Sequence, residues 1–139
     1  MKKPWYLLDT NIVSEVRKLK PHGAVVEWLR GLANEQMFIS AVTLGEVQSG
    51  IERTRRQDEK KAREIEAWAD LLAGSYNVLA MDAACFREWG RIREGIPAPL
   101  AEDAMIAATA LVHNLTVATR NERDFHRFRV RVFNPFKAK

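Results

Sequence analysis

Trp5-Tyr6-Leu7-Leu8 is a run of four large apolar residues that stops at Asp9, with Thr10 and Asn11 behind it. A run this short and this rich in bulky side chains reads as a strand buried on both faces. Ile12, Val13, Val16 and Leu19 then recur at helical spacing, with Glu15, Arg17 and Lys18 on the other side. The strand therefore ends near Asp9 and a helix starts near Asn11, with Thr10 or Asn11 placed to cap its first turn. Asp9 is left at the carboxyl end of a central strand, where open α/β sheets place their ligand sites. A plain cap or turn role for Asp9 fits the same residues.

The alternation continues along the chain. Pro21-His22-Gly23 breaks the pattern, and Val25, Val26, Trp28, Leu29 and Leu32 give a second amphipathic helix. Met37–Ser40 reads as a second buried strand, followed by a helix with Leu44, Val47 and Ile51 on one face. Thr43 with Glu46 three residues on has capping-box spacing, a structural alternative for Glu46. The mixed-sign run from Glu52 to Glu66 reads as a solvated helix face, with Ala62, Ile65, Ala69 and Leu72 as its apolar stripe. Val78–Met81 is a third strand, and Asp82 caps the helix that holds Phe86, Trp89 and Ile92. Gly95–Pro99 is a loop, because two prolines and a glycine cannot continue a helix. Asp103 opens an alanine-rich helix that reaches Val112, and Leu115–Thr119 is the next strand. Asn121–Asp124 forms a polar turn that Phe125 and Phe128 anchor. Arg127, Arg129 and Arg131 alternate with Phe128, Val130 and Val132, which predicts a half-exposed last strand with a basic outer face.

The order β-α-α-β-α-α-β-α-α-β-turn-β predicts an α/β fold. It is a three-layer α/β/α sandwich around a mostly parallel sheet, with residues 1–139 as a single domain. Apolar residues make up 47% and charged residues 29%, as in soluble globular proteins. No apolar run approaches the roughly 20 residues of a membrane span, and the stretch after Lys2-Lys3 is too short for a signal peptide. The single cysteine, Cys85, cannot form an internal disulfide, so a reducing cytoplasm is the expected location. A net charge of +4 is compatible with a polyanionic partner.

Right-handed crossovers line the strand carboxyl ends along one edge. Asp9, Glu46, Asp103 and Asp124 come from four remote segments and can converge there. Carboxylates so gathered raise one another's pKa, and a divalent cation reverses this by supplying positive charge. The donor set is all oxygen, and His22, His113 and His126 have no ligand spacing, which argues against zinc and suits Mg²⁺ or Mn²⁺. Such an ion can activate a water for in-line displacement at phosphorus. The sequence has no Gly-rich phosphate loop or nucleophile elbow to support other chemistry.

Four motifs occur in order: Leu7-Leu8-Asp9-Thr10-Asn11, Ile39-Ser40-Ala41-Val42-Thr43-Leu44-Gly45-Glu46, Asp103 with Ile106-Ala107-Ala108-Thr109-Ala110, and Thr119-Arg120-Asn121-Glu122-Arg123-Asp124-Phe125. The chain resembles the PIN-domain ribonucleases, especially the VapC and FitB-like toxins of bacterial toxin–antitoxin pairs. The likeness covers nearly the whole chain, and Asn134-Pro135-Phe136 resembles the usual ending. It implies a parallel sheet of about five strands, Mg²⁺-dependent RNA cleavage, and a protein antitoxin encoded beside the toxin that inserts a segment near the acidic pocket. It also implies a homodimer, with any DNA contact made by the antitoxin. By position, Asp9 and Asp103 would be the principal metal ligands and Glu46 and Asp124 would complete the site. Thr119 and Asn121 would orient the last acid or a water. Glu102, an extra carboxylate beside Asp103, is expected to be a surface ion-pair partner.

An acidic pocket repels phosphate, so arginines must help hold the RNA. Arg87, Arg91 and Arg93 on one helix, and Arg127, Arg129 and Arg131 near the end, are the candidates. Trp28, Trp68 and Trp89 are expected to pack rather than stack on bases. The main alternative is a non-catalytic module of the same fold, acting through dimerisation and its partner. A phospho-receiver domain would need paired acids after the first strand and a lysine after the last core strand; Thr10-Asn11 and Arg120-Asn121 do not supply them. A structure-specific DNA nuclease would need more chain.

Overall fold

The computed structural model describes residues 4–137. The first apolar run forms β1 (Tyr6–Leu8), with all three residues buried. It is the middle strand of a five-stranded sheet, followed in chain order by β2 (Met37–Ser40), β3 (Asn77–Leu79), β4 (Thr116–Ala118) and β5 (Val132–Phe133). The spatial order is β3-β2-β1-β4-β5, and every neighbouring pair is parallel. Helices cover both faces, which explains why the inner strands are apolar throughout rather than alternating. Tyr6 and Leu8 pack to one side with Ile12, Val13, Val25, Ile39 and Leu72. Leu7 packs to the other with Ile106, Ala107, Val117 and Phe125.

The helices are α1 (Thr10–Arg17), α2 (Gly23–Arg30), α3 (Ala41–Arg55), α4 (Glu59–Ser75), α5 (Ala83–Ile92), α6 (Ala101–His113) and α7 (Glu122–His126). The charge run lies on a helical hairpin, and Arg55 joins its arms through Glu52, Glu59 and Glu66 at 2.7–3.0 Å. Asp58 starts the second arm by accepting from the Lys61 N–H. The small residues of α6 let it lie close on the sheet; Ala104, Ala107, Ala108 and Ala110 are fully buried.

Several local expectations are corrected. Asp9, not Thr10 or Asn11, occupies the N-cap of α1. Ser40 caps α3 through the Val42 N–H, so the Thr43–Glu46 capping box does not exist. Thr43 is a buried residue inside the helix, and Glu46 is in the second turn rather than the first. The third strand is Asn77–Leu79, one residue earlier than predicted at its start. The polar turn after β4 is the short helix α7. The predicted strand over 127–132 is absent: Phe128 and Arg129 donate to Phe125 and His126 carbonyls, and Arg129 turns the chain at φ 58°. Phe128 and Val130 are buried, so the apolar alternation is real, but a loop inserts them and β5 begins only at Val132.

Among the described residues no helix is long and apolar enough to cross a membrane. Phe125, fully buried, is the side chain that fixes α7 to the core. Phe125→Ala is therefore expected to lower stability by about 3–5 kcal/mol. Urea unfolding measures this, and a loss below about 1 kcal/mol would contradict the anchoring role.

Candidate active site

The strand order reverses between β1 and β4, and open parallel sheets form their crevice at such a switch point, outside the carboxyl ends. The register Leu8↔Ala118 makes Asp9 and Thr119 the next residues on these two strands. The Asp9 N–H donates to the Ala118 carbonyl at 2.9 Å, extending the ladder to the site. Asp9 is 4% exposed. Its Oδ1 accepts from the Thr10 N–H (2.8 Å), and its Oδ2 accepts from the Thr119 hydroxyl (2.8 Å) and the Asn11 amide (3.1 Å). Burial pushes the carboxyl pKa up, and the bonds from Thr119 and Thr10 pull against that. The side chain that caps α1 is thus also the one that lies at the β1–β4 switch point.

Thr119 is fully buried, and its oxygen also accepts from the Asn121 N–H (2.9 Å) and the Asn11 amide (3.3 Å). The expected support from Asn121 comes from its backbone; its side chain is exposed and makes no hydrogen bond among the described residues. Asn11 ties the two strand ends together, since its Oδ1 accepts from the Arg120 N–H at 3.3 Å. The sequence alone offers Asn11 only as a helix cap. The signal for more is its place two residues after Asp9, but nothing in the spacing reveals the β4 partner.

Glu46 reaches the site from α3, and the Thr10 hydroxyl donates to its Oε1 at 2.5 Å. Burial raises its pKa, the Thr10 bond lowers it, and the charges of Glu102 and Asp9 raise it. Asp103 is the third residue of α6, which runs back towards the amino end of β4 and so begins at the carboxyl edge. Its carboxyl is half-buried and pushed up to about 7, first by burial and then by the charges of Asp9, Asp124, Glu46 and Glu102. Asp9, Glu46 and Asp124 thus all lie close enough to Asp103 for their charges to act on it. Glu102 is exposed and makes no ion pair among the described residues; it adds negative charge to the site instead of pairing on the surface.

Among the described residues no three acid, histidine or cysteine side chains form a ready-made metal cage. Mg²⁺ does not need one, because it keeps several waters and takes only one or two carboxylates directly. The donors here are hard oxygens, and burial together with the charges of the neighbouring acids pushes the Asp103 carboxyl up to about 7. Both properties fit a hard dication.

The expected RNA-binding arginines are dispersed. Arg87 is exposed on α5, Arg91 pairs with Glu88 at 2.9 Å, and Arg93 lies 4.6 Å from the Trp89 ring centre. Arg127 and Arg129 are exposed just beyond α7. Arg131 bonds Asn114 and Thr116 at the amino end of β4, the opposite end from Thr119. Arg120, which the sequence does not single out, sits at the rim with its guanidinium 3.8 Å from the Phe136 ring centre. Two open grooves flank the acids. One of about 490 Å³ adjoins Thr10 and Glu46 and includes Arg17, Arg53 and Trp68. The other, of about 650 Å³, includes Asp124 with Arg120, Arg123, His126 and Lys137. Trp28 packs against Tyr6 and Phe133 as expected.

Without added metal, the Asp103 carboxyl is expected to titrate at about 7, read by carbon NMR. Added Mg²⁺ favours the ionised form and moves the transition to lower pH. The sign for stability follows from the raised folded pKa: this group stabilises fully below 3.8, and the contribution is lost as pH rises through about 7. In chelator, the stability of the unsubstituted chain relative to Asp103→Asn therefore falls over that interval. A pH-independent difference would contradict the coupling.

The PIN domain family profile matches residues 6–130. Toxin FitB of Neisseria gonorrhoeae is 35% identical, with 94% of this chain and 97% of FitB covered. VapC ribonuclease Y4jK of Sinorhizobium fredii is 30% identical, with 94% and 97% covered. The crystal structure of FitAcB from Neisseria gonorrhoeae superposes with a TM-score of 0.81 at 34% identity, over 95% of this chain and 99% of that one. FitAB bound to the IR36 DNA fragment gives 0.78 at 34% identity, over 96% and 97%. With that profile spanning every strand from β1 to β4 and the four acids, the chain belongs to the PIN-domain family.

Proposed function

We propose that this chain is the toxin of a toxin–antitoxin pair and a metal-dependent endoribonuclease that hydrolyses RNA phosphodiester bonds. The observation that carries this reading is that Asp9, Glu46 and Asp124, from three remote segments, all bring negative charge to bear on Asp103. The names of the relatives, one a ribonuclease and one a toxin, support the same class.

Asp9 and Asp103 would be the direct donors to Mg²⁺ or Mn²⁺, and Glu46 and Asp124 would complete the site. A cation held there would supply the positive charge that offsets the acids and the Lewis acidity that phosphodiester hydrolysis calls for. Thr119 keeps Asp9 oriented and favours its ionised form by donating to Oδ2. Thr10 does the same for Glu46. Asn11 holds the β1 and β4 ends at fixed separation, so the carboxylate does not have to reorganise.

The partner is an antitoxin protein that occupies the acidic pocket, and any operator DNA is contacted through it; the FitAB–DNA structure supports this assembly. The chain itself forms a homodimer and acts on RNA in the cytoplasm.

Asp9→Asn, freed of antitoxin, is expected to lose RNA cleavage to background while keeping its circular dichroism spectrum and melting temperature. Thr119→Val should lower the rate by about 10–100-fold, as loss of a supporting hydrogen bond does. Cleavage by the unsubstituted chain in Mg²⁺ is followed by gel, with chelator as control. Undiminished cleavage by Asp9→Asn would overturn the assignment, and an unsubstituted chain inert in Mg²⁺ and Mn²⁺ would favour a non-catalytic binding module.

A further inference from the structure

The acids create a problem that they cannot solve alone. RNA carries a charge at every phosphate, and a cluster of carboxylates repels it beyond the reach of one bound cation. Cations must therefore border the pocket and remain available to phosphate. Most arginines near the site fail that condition. Arg91 is engaged by Glu88, Arg55 by three glutamates, and Arg131 is at the other end of the sheet.

The groove beside Asp124 meets it. Asp124 forms part of its wall, so the groove borders one of the four acids. Arg123 lines the same groove and pairs with no acid among the described residues. The Arg120 side chain is 53% exposed, and its nearest acid, Glu15, is 4.0 Å away and already held by Lys18 at 2.9 Å and by the His22 N–H at 2.8 Å. Phe136 supports the Arg120 guanidinium from one face, which leaves its edge free to donate. Lys137 is 76% exposed and pairs at 3.0 Å with Glu122, which also lines the groove. This single solvent-exposed contact is one a phosphate can replace, because the Asn134 amide at 2.9 Å also satisfies Glu122. Glu88, by contrast, holds Arg91 through two nitrogens. His126 adds a further donor on the same wall. The groove on the opposite flank differs in kind: Val47, Ile51, Ile65 and Trp68 give it an apolar lining under only two arginines.

We infer that the sugar–phosphate backbone of single-stranded RNA leaves the acid pocket along the groove beside Asp124, with Arg120, Arg123 and Lys137 bonding its phosphates. This rests on the ribonuclease reading above and assigns the path of that substrate. Bonds of this kind address phosphates, so they set affinity and register but carry no base preference.

The test uses the full chain with Asp9→Asn, which binds without cutting, and a fluorescent single-stranded RNA of about 12 nucleotides. Adding Arg123→Ala and Lys137→Ala is expected to raise Kd at least about tenfold and to reduce the salt slope of log K by about 0.7 for each phosphate that is no longer neutralised. Arg123→Glu should weaken binding further, while Arg131→Ala at the far end leaves Kd and slope unchanged. The inference is overturned if the groove variants bind as their parent does, or if the parent does not bind RNA. It is equally overturned if RNA affinity is kept and only retention of the antitoxin is lost, which would make the groove a protein seat. Failure here is separable from failure of the ribonuclease reading, because cleavage by the unsubstituted chain is scored independently.

Discussion

The hydrogen bond from the Thr119 hydroxyl to Asp9 joins residues 110 positions apart, and it can form only if β1 and β4 pair in the observed register. A slip of one residue would turn Leu7 and Leu8 to the wrong layers as well as separating the pair. Core packing and site geometry are therefore one constraint. The apolar packing of Tyr6 and Leu8 on one face, and of Leu7 and Val117 on the other, holds the two strand ends where a buried carboxylate can be satisfied. Three hydrogen bonds then make burial of Asp9 tolerable.

The other acids are placed by different means. Glu46 depends on α3 beginning immediately after β2, and Asp103 on α6 returning across the sheet. Asp124 depends on Phe125 pinning a helix of only five residues. These arrivals leave Asp103 surrounded by negative charge, an arrangement that works against folding at neutral pH. Structure of this kind persists when function needs it and the core supplies the stability.

Much of this is legible in the sequence because strand ends are. Asp9 ends an apolar run and Asp103 precedes an alanine-rich one, so periodicity places both at element ends, while the family resemblance is what singles them out as site residues. Glu46 is found too, but with a wrong local role, because Thr43-x-x-Glu46 has capping-box spacing and only tertiary structure reveals that Ser40 takes the cap and Thr10 takes the glutamate. The Arg127–Val132 stretch misleads for a related reason. Burial alternates there as it does in a strand, yet a left-handed turn at Arg129 sets the direction. The basic residues are the least legible. Whether an arginine is available depends on which acid it meets, and spacing does not encode that for Arg131, Arg120 or Arg123.

What the acids require of a cation is directly observable by diffusing Mn²⁺ into crystals of the chain and recording its anomalous scattering. The predicted result is a strong peak lying about 2.1 Å from carboxyl oxygens of both Asp9 and Asp103. Ordered Mn²⁺ elsewhere with no peak between those two residues, or carboxyl groups turned apart beyond the span of one ion, would contradict the central claim.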